Sequence, residues 1–210
     1  MHAYIREKGT ALNASATPSI LRESSSGIAA ITIYDEMLAQ RELAVMGEVE
    51  QEMAFSLCQH IRRLETEDPD APITVFVSSP GGSVSAGLAL YDLLRSASCP
   101  VRTVCTDIAA SMGSVIFMAG DTREMYPHAE LMVHDPLIPS GAGGNALSVQ
   151  ETSRRLMSTR KTLNTILAER SGLTLKRVQQ LTGKDTFLSA ERAVELGFAT
   201  GIVSSQKKEN

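Results

Sequence analysis

The sequence feature that most constrains the fold is a run of small residues, Ala109-Ala110-Ser111-Met112-Gly113, between two apolar segments. The preceding segment, residues 101–106, is rich in β-branched residues and predicts a strand. The following segment, residues 114–119, is almost wholly apolar and predicts a buried helix. Small residues at the join allow backbone segments to approach closely. A strand that turns directly into a buried helix is typical of α/β proteins.

The same alternation recurs on both sides of this join. Residues 73–77 form a short apolar run, as expected of a strand buried on both faces. Ser79-Pro80-Gly81-Gly82-Ser83 is predicted to end that strand, and a helix is predicted over residues 86–95. Residues 130–134 predict a further strand. The pattern indicates βαβ units, and therefore an α/β fold with parallel strand pairing.

Other segments have the spacing of helices. Residues 51–65 have apolar side chains at helical intervals. Residues 148–171 predict a long helix, with Gly172 well placed to end it. Two shorter helices are predicted over residues 175–181 and 190–196.

The chain length favours a single domain with a substantial core, since it has 210 residues, of which 43% are apolar. Residues 1–17 are rich in small and polar residues with little periodicity. We interpret residues 1–17 as a flexible arm or a removable leader, and residues 18–210 as the domain.

Composition argues against several kinds of partner. The formal net charge is −4 and no basic block occurs, which argues against nucleic acid. No apolar stretch approaches the roughly 20 residues that span a bilayer, so no membrane partner is expected. The three cysteines have no metal-ligand spacing, and their apolar settings favour a reducing compartment, the cytoplasm.

Ser111 has two interpretations. A serine at a strand-to-helix turn commonly caps the helix. The same position also suits a nucleophile, because unpaired N–H groups at a helix start can hold an oxyanion. Position alone favours the cap.

A nucleophilic serine requires a general base and an acid that orients it. Among the four histidines, His134 is the best base, because it ends a predicted strand. The candidate acids are Asp107, Asp121, Asp135 and Asp185, and spacing does not choose among them.

The glycine-rich segment Ser79–Ser83 matches neither G-x-G-x-x-G nor a Walker A sequence, and Gly183-Lys184 is followed by Asp185. Nucleotide binding is therefore not predicted. The segment is either a tight turn or a loop that presents an N–H group to a reacting carbonyl.

Four ordered motifs make the chain resemble the Clp protease proteolytic subunit family, ClpP, over residues 72–203. The first two are Ser79-Pro80-Gly81-Gly82-Ser83-Val84 and Ala109-Ala110-Ser111-Met112-Gly113. The third is Met132-Val133-His134-Asp135-Pro136-Leu137, in which Asp135 stands where the family usually has Gln. The fourth is Asp185-Thr186-Phe187-Leu188-Ser189-Ala190. Together they are highly specific.

The resemblance implies the roles of individual residues. Ser111 would be the nucleophile, His134 the general base and Asp185 the orienting acid. The N–H groups of Gly82 and Met112 would form the oxyanion hole. The implied fold is an α/β, crotonase-like head with a protruding helical handle at about 148–171. No metal or cofactor site is implied.

The resemblance also implies assembly and activity. Seven-membered rings would stack as a tetradecamer around a chamber in which unfolded polypeptides are hydrolysed. An AAA+ unfoldase would use the ATP, and a second ClpP-type subunit is a further candidate partner. Two other functions stay open: a crotonase-fold acyl-CoA enzyme, and a weakly active structural subunit of a mixed assembly.

Overall fold

The computed structural model describes residues 19–24, 27–138, 141 and 143–204. The predicted arm or leader, residues 1–17, lies outside the described residues. Its prediction, and that of a domain over residues 18–210, therefore stay predictions.

The described residues contain nine strands and seven helices. The strands are β1 (Ser19–Ser24), β2 (Gly27–Thr32), β3 (Glu42–Val49), β4 (Ile73–Gly82), β5 (Val101–Ala110), β6 (Thr122–Met125), β7 (Glu130–Val133), β8 (Thr186–Ser189) and β9 (Gly201–Ile202). The helices are α1 (Ile33–Ala39), α2 (Gln51–Glu67), α3 (Val84–Ser96), α4 (Met112–Phe117), α5 (Ala146–Ser171), α6 (Leu175–Thr182) and α7 (Ala190–Glu195).

Seven of the strands form one sheet, while β1 and β2 form a separate antiparallel hairpin. The main path of the sheet is β3-β4-β5-β6-β9, and β7 joins it beside β5 and carries β8. Every pair in this sheet is parallel except β7 with β8. The predicted α/β fold with parallel pairing is confirmed.

Strand β5 pairs with two different strands along its length. Its first half pairs with β6, from Arg102 to Cys105, and its end pairs with β7, from Ile108 to Ala110. The turn that follows β5 therefore lies beside the end of β7. This topology brings Ser111 and His134 together.

The hydrophobic core fills the space between the central strands and the helices that cover them. Helix α4 is buried along its whole length, and the side chains of Ile116 and Phe117 are inaccessible to solvent. Helix α3 packs against both α2 and α4. The turn at Ser111 is thus supported by one of the most buried segments of the chain.

Two predicted strands are longer in the structure. The strand predicted over residues 101–106 continues as β5 to Ala110. The strand predicted over residues 73–77 continues as β4 to Gly82 instead of ending before Ser79. Its register against β3 shifts between Met46 and Glu48, after which Val49 pairs with Gly82. A bulge thus lets the glycine segment stay in the sheet although its composition is typical of a turn.

The long helix is confirmed with an earlier start. It begins at Ala146, where the side chain of Asn145 accepts a hydrogen bond from the Ser148 N–H at 3.0 Å. Gly172 ends it in the left-handed conformation, with φ of 76°, as predicted.

A buried arginine forms hydrogen bonds to the backbone of segments that are far apart in the sequence. Arg123 is 7% exposed and donates hydrogen bonds to four backbone carbonyls. They belong to Phe198 at 2.8 Å, Gly120 at 3.1 Å, and Arg170 and Gly197 at 3.2 Å. Burial lowers the pKa of the Arg123 guanidinium, and the nearby cations of Arg170 and Arg95 lower it further.

We expect Arg123→Met to lower the free energy of unfolding by about 3 kcal/mol or more, because four acceptors lose a charged donor. The measurement is urea denaturation followed by circular dichroism. Arg63→Met is the control, since Arg63 forms an exposed pair with Glu67 and should change stability by less than about 0.5 kcal/mol. Equal midpoints for the two variants would contradict the role given to Arg123.

Candidate active site

Ser111 occupies a strained turn between β5 and α4. Its backbone has φ of 52° and ψ of −119°, a region that few residues other than glycine adopt. The Ser111 N–H donates to the Met132 carbonyl at 2.9 Å, and the Ser111 carbonyl accepts from the Ser114 hydroxyl at 2.6 Å. These bonds hold the turn in a conformation that costs on the order of 1–3 kcal/mol.

The side chain of Ser111 does not cap the helix. Ser111 stands at the N-cap position of α4, but its hydroxyl makes no capping bond. The Oγ atom lies instead 2.8 Å from Nε2 of His134, within hydrogen-bond distance. The helix-cap interpretation, which position alone favoured, is wrong.

His134 directly follows β7, and its side chain is 15% exposed. The next residue is held by a bond from the Asp135 N–H to the Thr182 carbonyl at 2.7 Å, at the end of α6. The backbone on both sides of the imidazole is thus fixed, by β7 before it and by α6 after it.

Asp185 is the acid that contacts the imidazole. Its Oδ1 lies 3.2 Å from Nδ1 of His134. The antiparallel pairing of β7 with β8 places Val133 opposite Thr186, so the residues just outside this pair, His134 and Asp185, are neighbours. The Asp185 side chain is 67% exposed, so water solvates the carboxylate beside the imidazole.

The other three candidate acids have different partners. Asp121 accepts hydrogen bonds from Arg95 at 2.7 Å and from the Val101 N–H at 3.1 Å. A hydrogen bond from the Ser78 side chain is the main cause that lowers the pKa of Asp107. Asp135 pairs with Arg160 at 2.6 Å. Of the four candidate acids, Asp185 is the one whose carboxylate contacts the imidazole, and its role as the orienting acid stays a prediction.

The glycine segment lies against the Ser111 turn. Gly81 has φ of 104°, and a Cβ atom there would lie 2.6 Å from Cβ of Ser111 and 3.1 Å from the Met112 nitrogen. At Gly82, with φ of 146°, a Cβ would lie 2.5 Å from the Val49 carbonyl oxygen. Both positions therefore require glycine.

Met112 begins α4, so its N–H has no acceptor within its own helix. It lies beside the Gly81-Gly82 segment, which is where a donor pair for an oxyanion would be needed. The assignment of the Gly82 and Met112 N–H groups to an oxyanion hole is compatible with this placement and stays a prediction.

We expect Gly81→Ala to lower kcat by about 100-fold or more, because the added methyl group displaces Ser111 and small misplacements are costly. The matched control is Gly201→Ala, since a Cβ at Gly201 meets no atom within 4 Å. The measurement is hydrolysis of a fluorogenic peptide by equal amounts of folded protein. Full activity of Gly81→Ala would show that the contact between the two segments is not needed.

Sequence reasoning missed the residue that connects these segments. Ser79 is fully buried, and its hydroxyl donates to the Gly47 carbonyl at 2.6 Å and accepts from the Gly81 N–H at 3.1 Å. A Cβ at Gly113 would lie 2.9 Å from the Ser79 carbonyl oxygen. The signal available was a serine followed by Pro80 and two glycines, a composition that by itself is typical of any turn.

In the described ranges, no group of three or more His, Cys, Asp or Glu side chains is placed to hold a metal ion. None of the helices described combines the length and the apolar character that crossing a membrane requires. All three cysteines, Cys58, Cys99 and Cys105, are free thiols.

A serine hydroxyl, an imidazole and a carboxylate in contact in that order form the arrangement used by serine hydrolases. Comparisons with known proteins show the family to which the chain belongs. The family model described as Clp protease matches residues 25–206. The chain is also 37% identical over 193 residues to an ATP-dependent Clp protease proteolytic subunit of Ligilactobacillus salivarius (strain UCC118), covering 91% of this chain and 97% of that relative.

The chain therefore belongs to the Clp protease family. This confirms the family identified from the four motifs, the α/β fold expected from it, and its expected function as a protease proteolytic subunit.

Proposed function

We propose that the chain is a serine endopeptidase that acts through an acyl-enzyme. The observation that carries the proposal is the 2.8 Å contact between Ser111 Oγ and His134 Nε2, at a turn where the serine does not cap its helix. A hydroxyl is a weak nucleophile until an adjacent base accepts its proton, and this geometry supplies that base.

The proposed reaction follows from the order of contacts. Neutral His134 accepts the proton of the Ser111 hydroxyl at Nε2 as Oγ attacks the scissile carbonyl. The oxyanion that forms is held by the N–H groups of Gly82 and Met112. His134 then gives the proton to the leaving amine, and water hydrolyses the acyl-enzyme by the same route in reverse.

Asp185 has an orienting role in this proposal. Its contact with Nδ1 keeps the proton on that nitrogen, which leaves Nε2 free to accept from Ser111. The carboxylate also stabilises the imidazolium that forms during attack. No step requires a metal ion or a cofactor bound to this chain, and ATP would be used by a partner.

We further propose that the chain works in rings of seven, stacked as a tetradecamer, which receive unfolded polypeptides from an AAA+ unfoldase. Support comes from the family to which the chain belongs. The free thiols are compatible with the cytoplasm.

The proposal is tested with the purified full chain and two substrates, a fluorogenic peptide and a carboxymethylated, permanently unfolded protein. We expect cleavage of both substrates, no cleavage of a stable folded protein without an unfoldase and ATP, and a multiple of seven subunits by native mass spectrometry. Cleavage of neither substrate, with hydrolysis of an acyl-CoA thioester, would favour the acyl-CoA alternative. A ring that cleaves no substrate would favour the structural subunit.

A further inference from the structure

The residue after His134 also has a carboxylate, that of Asp135, and this carboxylate contacts Arg160 instead of the imidazole. Asp135 Oδ2 accepts a hydrogen bond from Arg160 Nε at 2.6 Å, and the two side chains are only 30% and 27% exposed. Arg160 lies in the middle of α5, far along the chain from His134. The distance is that of a strong, charge-assisted hydrogen bond.

Asp135 is also held by its backbone. Its N–H donates to the Thr182 carbonyl at the end of α6, at 2.7 Å. The residue after His134 is therefore attached to α6 through the main chain and to α5 through the side chain. A shift of either helix is transmitted to the backbone that carries the imidazole.

The Asp135 carboxylate needs the positive charge of Arg160 more than a fully solvated carboxylate would. Oδ1 of Asp135 is buried and has no hydrogen-bond partner in the described part of the chain. Arg160 is thus the cation that compensates a partly desolvated charge. Removing one partner of such a pair costs more than removing both, because an uncompensated charge is left behind.

We propose that Asp135 and Arg160 form a positioning pair that holds His134 at hydrogen-bond distance from Ser111. The contacts of Asp135 are with Arg160 on α5 and with Thr182 at the end of α6, so the pair acts on the reaction through the backbone of His134. The inference rests on the proposed function, in which His134 is the general base. It assigns α5 a role in setting the turnover rate.

Substitutions of Arg160 and of Asp135 are expected to displace His134 to different extents. In Arg160→Gln, the Asp135 carboxylate keeps its charge and its buried oxygen but loses the cation, so it turns toward water and displaces His134. In Asp135→Asn, the amide oxygen can still accept from Arg160, and no buried carboxylate remains. The double variant removes both charges and should resemble Asp135→Asn.

The experiment measures kcat and KM for a fluorogenic peptide with the full chain, four variants of the pair and one control variant. Active sites are counted with a fluorophosphonate, and thermal midpoints are recorded in parallel. We expect Arg160→Gln to lower kcat about 10- to 100-fold with KM within about twofold. Asp135→Asn and the double variant should each lose less than about fivefold, and Arg160→Lys should recover most of the loss, since it restores the charge.

Arg155→Gln is the matched control, because Arg155 lies on the same helix in an exposed pair with Glu151. It should leave kcat unchanged. The proposal is overturned if Arg160→Gln loses no more kcat than Arg155→Gln, or if the double variant is as slow as the product of the single effects. If Arg160→Gln does not fold, the decision moves to Asp135→Ala, which removes the carboxylate that accepts from Arg160. We expect kcat to fall more than about fivefold there, and a normal kcat in a folded Asp135→Ala preparation overturns the pair.

The same experiment separates this inference from the proposed function. Absence of fluorophosphonate labelling at Ser111 in the unmodified chain would contradict the proposed function itself. Normal labelling of the unmodified chain with unchanged turnover in the variants would overturn only the positioning pair.

Discussion

Ser111→Ala is expected to lower kcat for peptide hydrolysis by about six orders of magnitude, to the residual rate that binding and the oxyanion donors support. The variant removes one oxygen atom, which contacts His134 and makes no capping bond to the helix. The fold should therefore be retained, with a thermal midpoint close to that of the unmodified chain. The measurement is a steady-state assay with a fluorogenic peptide at high enzyme concentration.

Ser96→Ala is the control for this variant, because Ser96 is an exposed serine at the end of α3. It should retain full activity. A Ser111→Ala preparation that is folded, free of contaminating protease and still within tenfold of normal turnover would rule out Ser111 as the nucleophile.

Asp185→Asn is expected to lower kcat by about 100- to 10,000-fold while KM changes little. An amide at this position no longer stabilises the imidazolium and can favour the wrong tautomer of His134. The exposure of Asp185 places the expected loss toward the lower end of this range, since water also solvates the imidazolium. The assay is the same peptide hydrolysis, with kcat and KM determined separately.

The matched control is Asp107→Asn. Asp107 was an equal candidate by spacing, but its carboxylate is hydrogen-bonded to the side chains of Ser78 and Thr106. We expect Asp107→Asn to stay within about threefold of normal kcat. Equal losses in the two variants would mean that the loss reflects general damage and that the contact of Asp185 with His134 has no special role.

Much of the fold could be predicted because its main elements have strong local patterns. The helical spacing of α2 and α5 continues over about four turns or more, and the short runs that became β4 and β5 are recognised by their β-branched residues and the turn residues beside them. The short strands β6, β8 and β9 were not predicted, because two to four residues carry no periodicity. Their strand conformation comes from pairing with β5, β7 and β6.

The site was predictable to a different extent at each residue. Ser111 stands in the turn between a predicted strand and a predicted helix, and His134 ends a predicted strand. The ends of strands are where α/β proteins place functional groups. Asp185 was one of four candidates until the resemblance singled it out, because its place depends on the antiparallel pairing of β7 with β8. The contact of Asp135 with Arg160 could not be predicted, since it joins the segment after β7 to a residue of α5 that is 25 positions further along the chain.

The central claim is that Ser111 is the residue activated by His134, and the most direct measurement is covalent labelling with a fluorophosphonate. Intact mass and peptide mapping should show one adduct per chain, on Ser111. Labelling should be absent in Ser111→Ala and slowed by orders of magnitude in His134→Ala. An unlabelled Ser111 in a chain that cleaves peptides, or an adduct on another residue that accounts for all activity, would contradict the account.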